Sequence, residues 1–137
     1  MKELMKAIKT TFESSSALMT RFPRGFFSDK APDEEALPTL VVVQVSVVPD
    51  YSTKGPDGRP YTEAANLQFS IRATTDTFCY AGLEELDSAL QFADMTLQGE
   101  EDLLDARRVA GPVVVREDEQ VWHGFSEYRF TVQRSVG

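Results

Sequence analysis

Any chemistry in this chain would have to gather around His123 and Cys79, because each is the sole residue of its type. Zinc sites draw on several imidazole or thiolate ligands, and one of each, far apart in sequence, cannot furnish such a shell. Nucleophilic catalysis needs a serine or cysteine beside a base, and no Gly-x-Ser-x-Gly elbow occurs. His123 stands between Trp122 and Gly124 at the start of a predicted strand, where an imidazole satisfied by a neighbouring carbonyl is a simpler reading than a general base. Cys79, between Phe78 and Tyr80 at a predicted helix start, reads as a small buried apolar residue, although a helix N-terminus can also lower a thiol's pKa.

Carboxylates are the remaining chemical resource, and they cluster twice: Glu100, Glu101 and Asp102 after Gly99, and Glu117, Asp118 and Glu119. The first cluster lacks the alternating ligands and the glycine of a calcium loop, so a solvated acidic turn describes it better. Paired carboxylates for glycoside chemistry require a defined separation, which abundance alone does not supply. Gly55-Pro56-Asp57-Gly58 resembles a turn, and neither a Walker loop nor a dinucleotide fingerprint is present. Fourteen basic against twenty-two acidic residues give a net charge of −8, which opposes phosphate binding. Arg107-Arg108 is the only adjacent basic pair and reads as strand-face charge. An acidic surface can serve DNA differently, since a passage lined with carboxylates lets a duplex slide without sticking. These residues predict no catalytic centre, no metal site, no cofactor and no enzyme.

The elements that position these groups follow from periodicity. Leu4, Ile8 and Phe12 recur four apart among lysines 2, 6 and 9, the stripe of an amphipathic helix over residues 2–12. Ser14-Ser15-Ser16 breaks it and caps a second short helix over 17–21, which Pro23 stops. Residues 25–28 are a candidate edge strand, and residues 30–38, bracketed by Pro32 and Pro38, a surface connector. The β-branched run over 39–48 is the strongest strand signal. Three prolines and two glycines within 49–60 predict a long, mobile hairpin tip. The partner strand, 61–73, alternates Leu67, Phe69, Ile71 and Ala73 with Gln68, Ser70 and Arg72. Thr77 or a neighbouring Thr or Asp caps a helix running to about residue 95, with Leu83, Leu86 and Leu90 on one face. Strands over 103–117, interrupted at Gly111-Pro112, and 121–134 close the chain around the turn at 117–120.

The order α-α-β-β-α-β-β contains no βαβ nucleotide unit and predicts an α+β fold: an antiparallel sheet of about four strands with helices packed on one face. Residues 1–137 fit a single domain. No apolar run approaches a membrane span of about 20 residues, and charges at Lys2, Glu3, Lys6 and Lys9 fall where a signal peptide needs an apolar segment. A protein used inside a cell, or carried out in something the cell releases, is the expectation. A contrasting possibility is a small ligand-binding or enzymatic domain with a pocket lined by Phe69, Tyr128 and Phe130, although their parity places them in the core.

The C-terminal half carries a familiar pattern: Arg107-Arg-Val-Ala-Gly-Pro-Val-Val-Val-Arg-Glu117, then Trp122-His-Gly124, then Tyr128-Arg-Phe130. With Ala36-Leu-Pro-Thr-Leu-Val-Val-Val43 leading into the first long strand, and two helices before it, the chain resembles the tail terminator (tail completion, or head-tail joining) family of long-tailed bacteriophages and gene transfer agents. The resemblance implies a structural virion protein: a homo-hexameric ring that caps the tail tube, ends its polymerisation and forms the joining surface to the neck, the alternative being another neck or tail assembly subunit of the same small α+β plan. Implied partners are further copies of itself, the tail tube protein and a head-completion or neck protein, with DNA passing through the ring without specific binding and no membrane. Implied locations are the tail-neck region of the virion and the host cytoplasm during assembly. The length and proline content of the tip at Pro49 to Pro60 depart from the family's pattern; Asp50, Tyr51, Lys54, Arg59 and Tyr61 are candidate contacts to a neighbouring subunit or the tube. Glu100, Glu101, Asp102, Glu117, Asp118 and Glu119 are candidates for an acidic lumen or docking surface.

Overall fold

The computed structural model describes residues 2–31, 36–54, 60–97 and 101–134, and at residues 2, 50–54, 60, 61 and 134 the backbone alone. Helices α1 (Lys2–Glu13) and α2 (Ser16–Arg21) precede strands β1 (Phe27–Ser28), β2 (Thr39–Lys54) and β3 (Pro60–Ala73). Helix α3 (Asp76–Leu90) then leads to β4 (Glu101–Arg116) and β5 (Trp122–Arg134). The strands form one sheet in the order β1-β2-β3-β5-β4. All pairings are antiparallel except that of β1, which lies parallel to β2 opposite Val41 and Val42. The sheet therefore has five strands instead of about four, because the short edge segment at Phe27 pairs.

Parity decides the layers. Leu67, Phe69 and Ile71 of β3 share a buried face with Tyr128, Phe130 and Val132 of β5 and with Leu40 and Val42 of β2. Helix α3 lies on that face with Cys79, Leu83, Leu86 and Leu90 inward, and α1 and α2 pack beside it through Leu4, Ile8, Phe12 and Leu18. The helix starts are capped as their sequences require: the Leu18 N–H donates to Ser15 Oγ (3.3 Å) and the Phe78 N–H to Thr75 Oγ1 (3.2 Å). Edge-to-face pairs Phe12–Phe26 and Phe22–Phe78, each with centroids 5.6 Å apart, seal the helical layer.

Two boundaries differ from the sequence reading. The strands extend into the predicted tip, with Pro49 opposite Glu63, Asp50 opposite Thr62 and, past a register irregularity, Lys54 opposite Pro60; residues 55–59 lie outside the described residues. A proline is tolerated there because β2 beyond Val42 has no described strand on its outer side, where a missing N–H costs no ladder bond. Helix α3 ends at Leu90 and not near residue 95. Phe92 takes a left-handed backbone (φ +57°), and its N–H donates to the Ala106 carbonyl of β4 at 2.7 Å, turning the chain onto the sheet edge.

Two glycines of the C-terminal half explain themselves. A Cβ on Gly124 would sit 3.0 Å from the Cys79 Cβ, so this residue lets α3 approach β5. Gly111 has φ +86° within the irregular stretch of β4 between Ala110 and Val113, and a Cβ there would meet the Phe125 carbonyl oxygen at 2.7 Å. Gly111→Ala is expected to cost about 2–4 kcal/mol, from the strained φ plus a clash with backbone that cannot yield. Gly25→Ala (φ +76°, with open space at the Cβ) should cost only about 1–2 kcal/mol. Thermal unfolding of the two variants side by side checks the difference.

Candidate assembly surfaces

Phe69, Tyr128 and Phe130 line no pocket: all three are 0% exposed, with Phe69 and Tyr128 edge-to-face at 5.6 Å. The Tyr128 hydroxyl donates to Asp87 Oδ1 (3.0 Å), and Arg108 Nη1 stands 3.4 Å from the same oxygen. Burial and then the bond to the Asp87 carboxylate push the phenol far above its usual pKa, so it remains a donor that ties α3 to β5. Periodicity alone gave no sign of this cluster, because Asp87 lies on the polar face of its helix. A groove of about 820 Å³ runs between α1 and α3, lined by Lys6, Thr10, Ser14, Ser88 and Asp94 among others. His123 is not among its lining residues, so the hydroxyls there have no imidazole base beside them.

Neither singular residue acquires a partner set for catalysis. Cys79 is fully buried, and its thiol is pushed up by burial and then by the Asp76 carboxylate, the opposite of an activated thiolate. His123 lies on the sheet face opposite the helices, beside Phe125. Burial first and the Arg72 guanidinium second hold its pKa below the ordinary value, against a smaller opposing pull from Glu117. Among the described residues no group of three or more His, Cys, Asp and Glu side chains is placed to hold a metal ion.

The two acidic clusters are not brought together. Asp102 pairs with Gln133, Gln133 faces Thr62, and Thr62 faces Asp50, so Glu101 and Asp102 share one end of the sheet with Asp50, Tyr51, Lys54 and Tyr61. Glu117, Asp118 and Glu119 turn the chain at the other end, past the Arg116–Trp122 pair. The ladder between these ends covers twelve steps of β5, about 40 Å at ~3.3 Å per residue. Arg59 and Glu100 lie outside the described residues. In the turn, Glu117 pairs with Arg72 at 3.0 Å, and Asp118 accepts the Gln120 N–H at 2.8 Å. Arg116 donates to the carbonyls of Asp118 and Glu119 while lying over the Trp122 ring. Glu119 is thus the carboxylate of that turn most available to an outside partner.

The face without helices carries a polar chain across three strands: Arg129 Nε donates to Asn66 Oδ1 (3.1 Å), and Asn66 Nδ2 to Ser46 Oγ (2.8 Å). By register Val48, Val113 and Val115, among the exposed large apolar side chains, share this face with His123, Phe125 and Asn66. Val45 and Val48 lie on β2, while Leu104, Val109, Val113 and Val115 lie on β4 with Phe92 beside it; Tyr80 alone sits on a helix. The sequence shows these as strand residues, but which strands lie outermost depends on the pairing order.

This is a one-sided α+β sheet with exposed outer strands and ends, a groove between α1 and α3, and a cleft of about 410 Å³ that His123, Arg72, Ser70 and Asp29 help to line. Residues 6–133 match the family Tail completion protein gp17, and the chain belongs to that family. It is accordingly a structural protein of phage-type tails, associated with the virion and assembled with other tail and head proteins. No curated protein matches the chain. Nine chains of solved structures match it. One, from the virion of a native gene transfer agent (GTA) particle, is 14% identical over 96% of this chain and 96% of its own, with a TM-score of 0.77, a likeness of fold.

His123 gives a pH signature. The unfolded chain takes up the imidazole proton near pH 6.5, whereas folded His123 does so only at lower pH. The unfolded state therefore binds more protons in that window, and stability is expected to decline as pH falls through about 6.5. Urea unfolding of wild type and His123→Gln at pH 7.5 and 5.5 checks this, with a smaller pH difference expected in the variant.

Proposed function

We propose that this chain is the subunit of a homo-hexameric ring that caps the tail tube, ends tube polymerisation and presents the surface to which the neck of the filled head joins. The family match across residues 6–133 carries this reading. The sheet supports it, since most of its exposed apolar groups belong to outer strands that a neighbouring copy could reach. Residues 1–137 act as one domain, with shape and surface in place of a catalytic centre, a metal or a cofactor. The ring sits at the tail-neck junction after assembly in the host cytoplasm, and DNA passes through it without specific contacts.

The partners are further copies of the chain, the tail tube protein and a head-completion or neck protein. The two ends of the sheet address the two unlike neighbours: one end has Glu101 and Asp102 with Asp50, Tyr51, Lys54 and Tyr61 of β2 and β3, and the other has Glu117 to Glu119. Particles made without the protein are expected to have tails of uncontrolled length and heads left unjoined, as seen by electron microscopy. Tails of normal length joined to heads in its absence would remove the proposal. Asp102→Lys and Glu119→Lys, each exposed, should each cut the yield of joined particles about tenfold or more and at different stages, one at tube capping and one at head joining. Replacing residues 55–59 by a two-residue turn should reduce incorporation. Undiminished ring assembly and attachment would acquit the hairpin.

A further inference from the structure

The exposed apolar surface of this chain has a distribution that the fold does not require. Among the described residues, every exposed large apolar side chain except Tyr80 belongs to an outer strand or lies beside one, and none belongs to the central strands β3 and β5; by register Val48, Val113 and Val115 project from the face without helices. One side is β2 beyond the stretch covered by β1, with Val45 (52% exposed) at a ladder irregularity and Val48 (56%). The other is the outer strand β4, with Leu104 (53%) and Val109 at its own irregularities, Val113, Val115, and Phe92 (71%) fastened alongside. Proteins that blunt an edge for solubility place charge or proline there. Here β2 carries Pro49 and one irregularity of β4 exposes Pro112, but three others expose Val45, Leu104 and Val109.

Phe92 is the most informative of these. A left-handed backbone is disfavoured for a bulky residue, yet Phe92 holds φ +57° with its ring in solvent. Two bonds fix the position: the Phe92 N–H to the Ala106 carbonyl, and the Arg108 N–H to the Gln91 side-chain oxygen. These bonds also occupy the outward backbone groups of β4 at Ala106 and Arg108, so a neighbour reaching this side meets side chains there and not a free strand edge. A strained, rigidly held and exposed aromatic is the form a contact anchor takes.

Given the ring reading above, on which this rests, we infer that Phe92, Leu104 and Val109 on the β4 side pack against Val45 and Val48 on the β2 side of a second copy of this chain. The two patches differ and lie on opposite flanks of one sheet, which is the arrangement a head-to-tail contact needs and a two-fold dimer does not. Rotation about an axis along the strands carries each β4 side to the next β2 side. Phe92 is the anchor of that contact.

Cysteine pairs test the contact in assembled particles. Within one chain β2 and β4 are separated by three strand spacings, about 14 Å, too far for a disulfide. Native Cys79 is fully buried and stays out of the reaction. Variants joining Val45→Cys or Val48→Cys with Phe92→Cys, Leu104→Cys or Val109→Cys are oxidised in purified particles and run without reductant. At least one pair should give a ladder of this chain that ends at a closed ring, while each single variant stays monomeric. Dimers from single variants, cross-links to a different particle protein, or a ring visible by electron microscopy with no pair cross-linking would each overturn the contact while leaving the ring. Absence of a ring would overturn both.

Phe92→Gly separates assembly from folding. The substitution relieves the left-handed backbone, so the Tm should be no lower than wild type, while incorporation falls at least tenfold; Tyr80→Ser, outside both patches, should leave incorporation unchanged. Normal incorporation of Phe92→Gly would remove the anchor role.

Discussion

The ladder between β3 and β5 is the constraint on which the rest of the structure depends. It runs from Thr62 opposite Gln133 to Ala73 opposite Trp122 without a register shift, whereas the ladders on either side of it are both irregular. Its register is held by burial. A slip of β5 by one residue would send Tyr128, Phe130 and Val132 into water and draw Glu127 and Arg129 towards the core. Full burial of a large apolar side chain is worth about 1.5–3 kcal/mol, so the misregistered pairing loses several such contributions at once. The buried face also receives α3, with Gly124 admitting Cys79 and the Tyr128 hydroxyl meeting Asp87.

That centre was legible in the sequence because it obeys a period. Alternation over residues 61–73 and the Tyr128-Arg-Phe130 parity identified the buried face, and spacing identified α1, the cap of α2 and the inward face of α3. What escaped were features set by tertiary bonds or by position in the sheet. The end of α3 depends on the Phe92 N–H finding Ala106, a partner fourteen positions away that no local signal announces. The prolines of the hairpin read as breakers, yet Pro49 pairs because β2 is outermost at that level. The two acidic clusters have the same composition, and only the ladder reveals that they sit at opposite ends of the sheet.

The chemistry of the singular residues follows from the same geometry. Cys79 is placed where α3 touches β5, so it packs and its thiol is harder to ionise. His123 is placed on the opposite face beside a guanidinium, which disfavours its cationic form. Polar residues on that face spend their bonding capacity on one another, as in the series from Arg129 through Asn66 to Ser46. What the fold organises is a stiff plate with distinct ends and flanks, in keeping with a family of structural tail proteins.

Stability and association are thereby assigned to different strands. The residues that hold the plate together lie on β3, β5 and the inner faces of the helices, while the apolar groups left in water lie mainly on and beside β2 and β4. Burying the latter would add little to the fold of one chain, since both outer strands already have their inner partners. Their burial gains free energy only when another molecule arrives, as expected of a subunit whose folded state must exist before its assembly does. The backbone at Phe92 serves the monomer by ending α3 and bonding Ala106, whereas its ring, left in solvent, has no core contact and belongs to the same division.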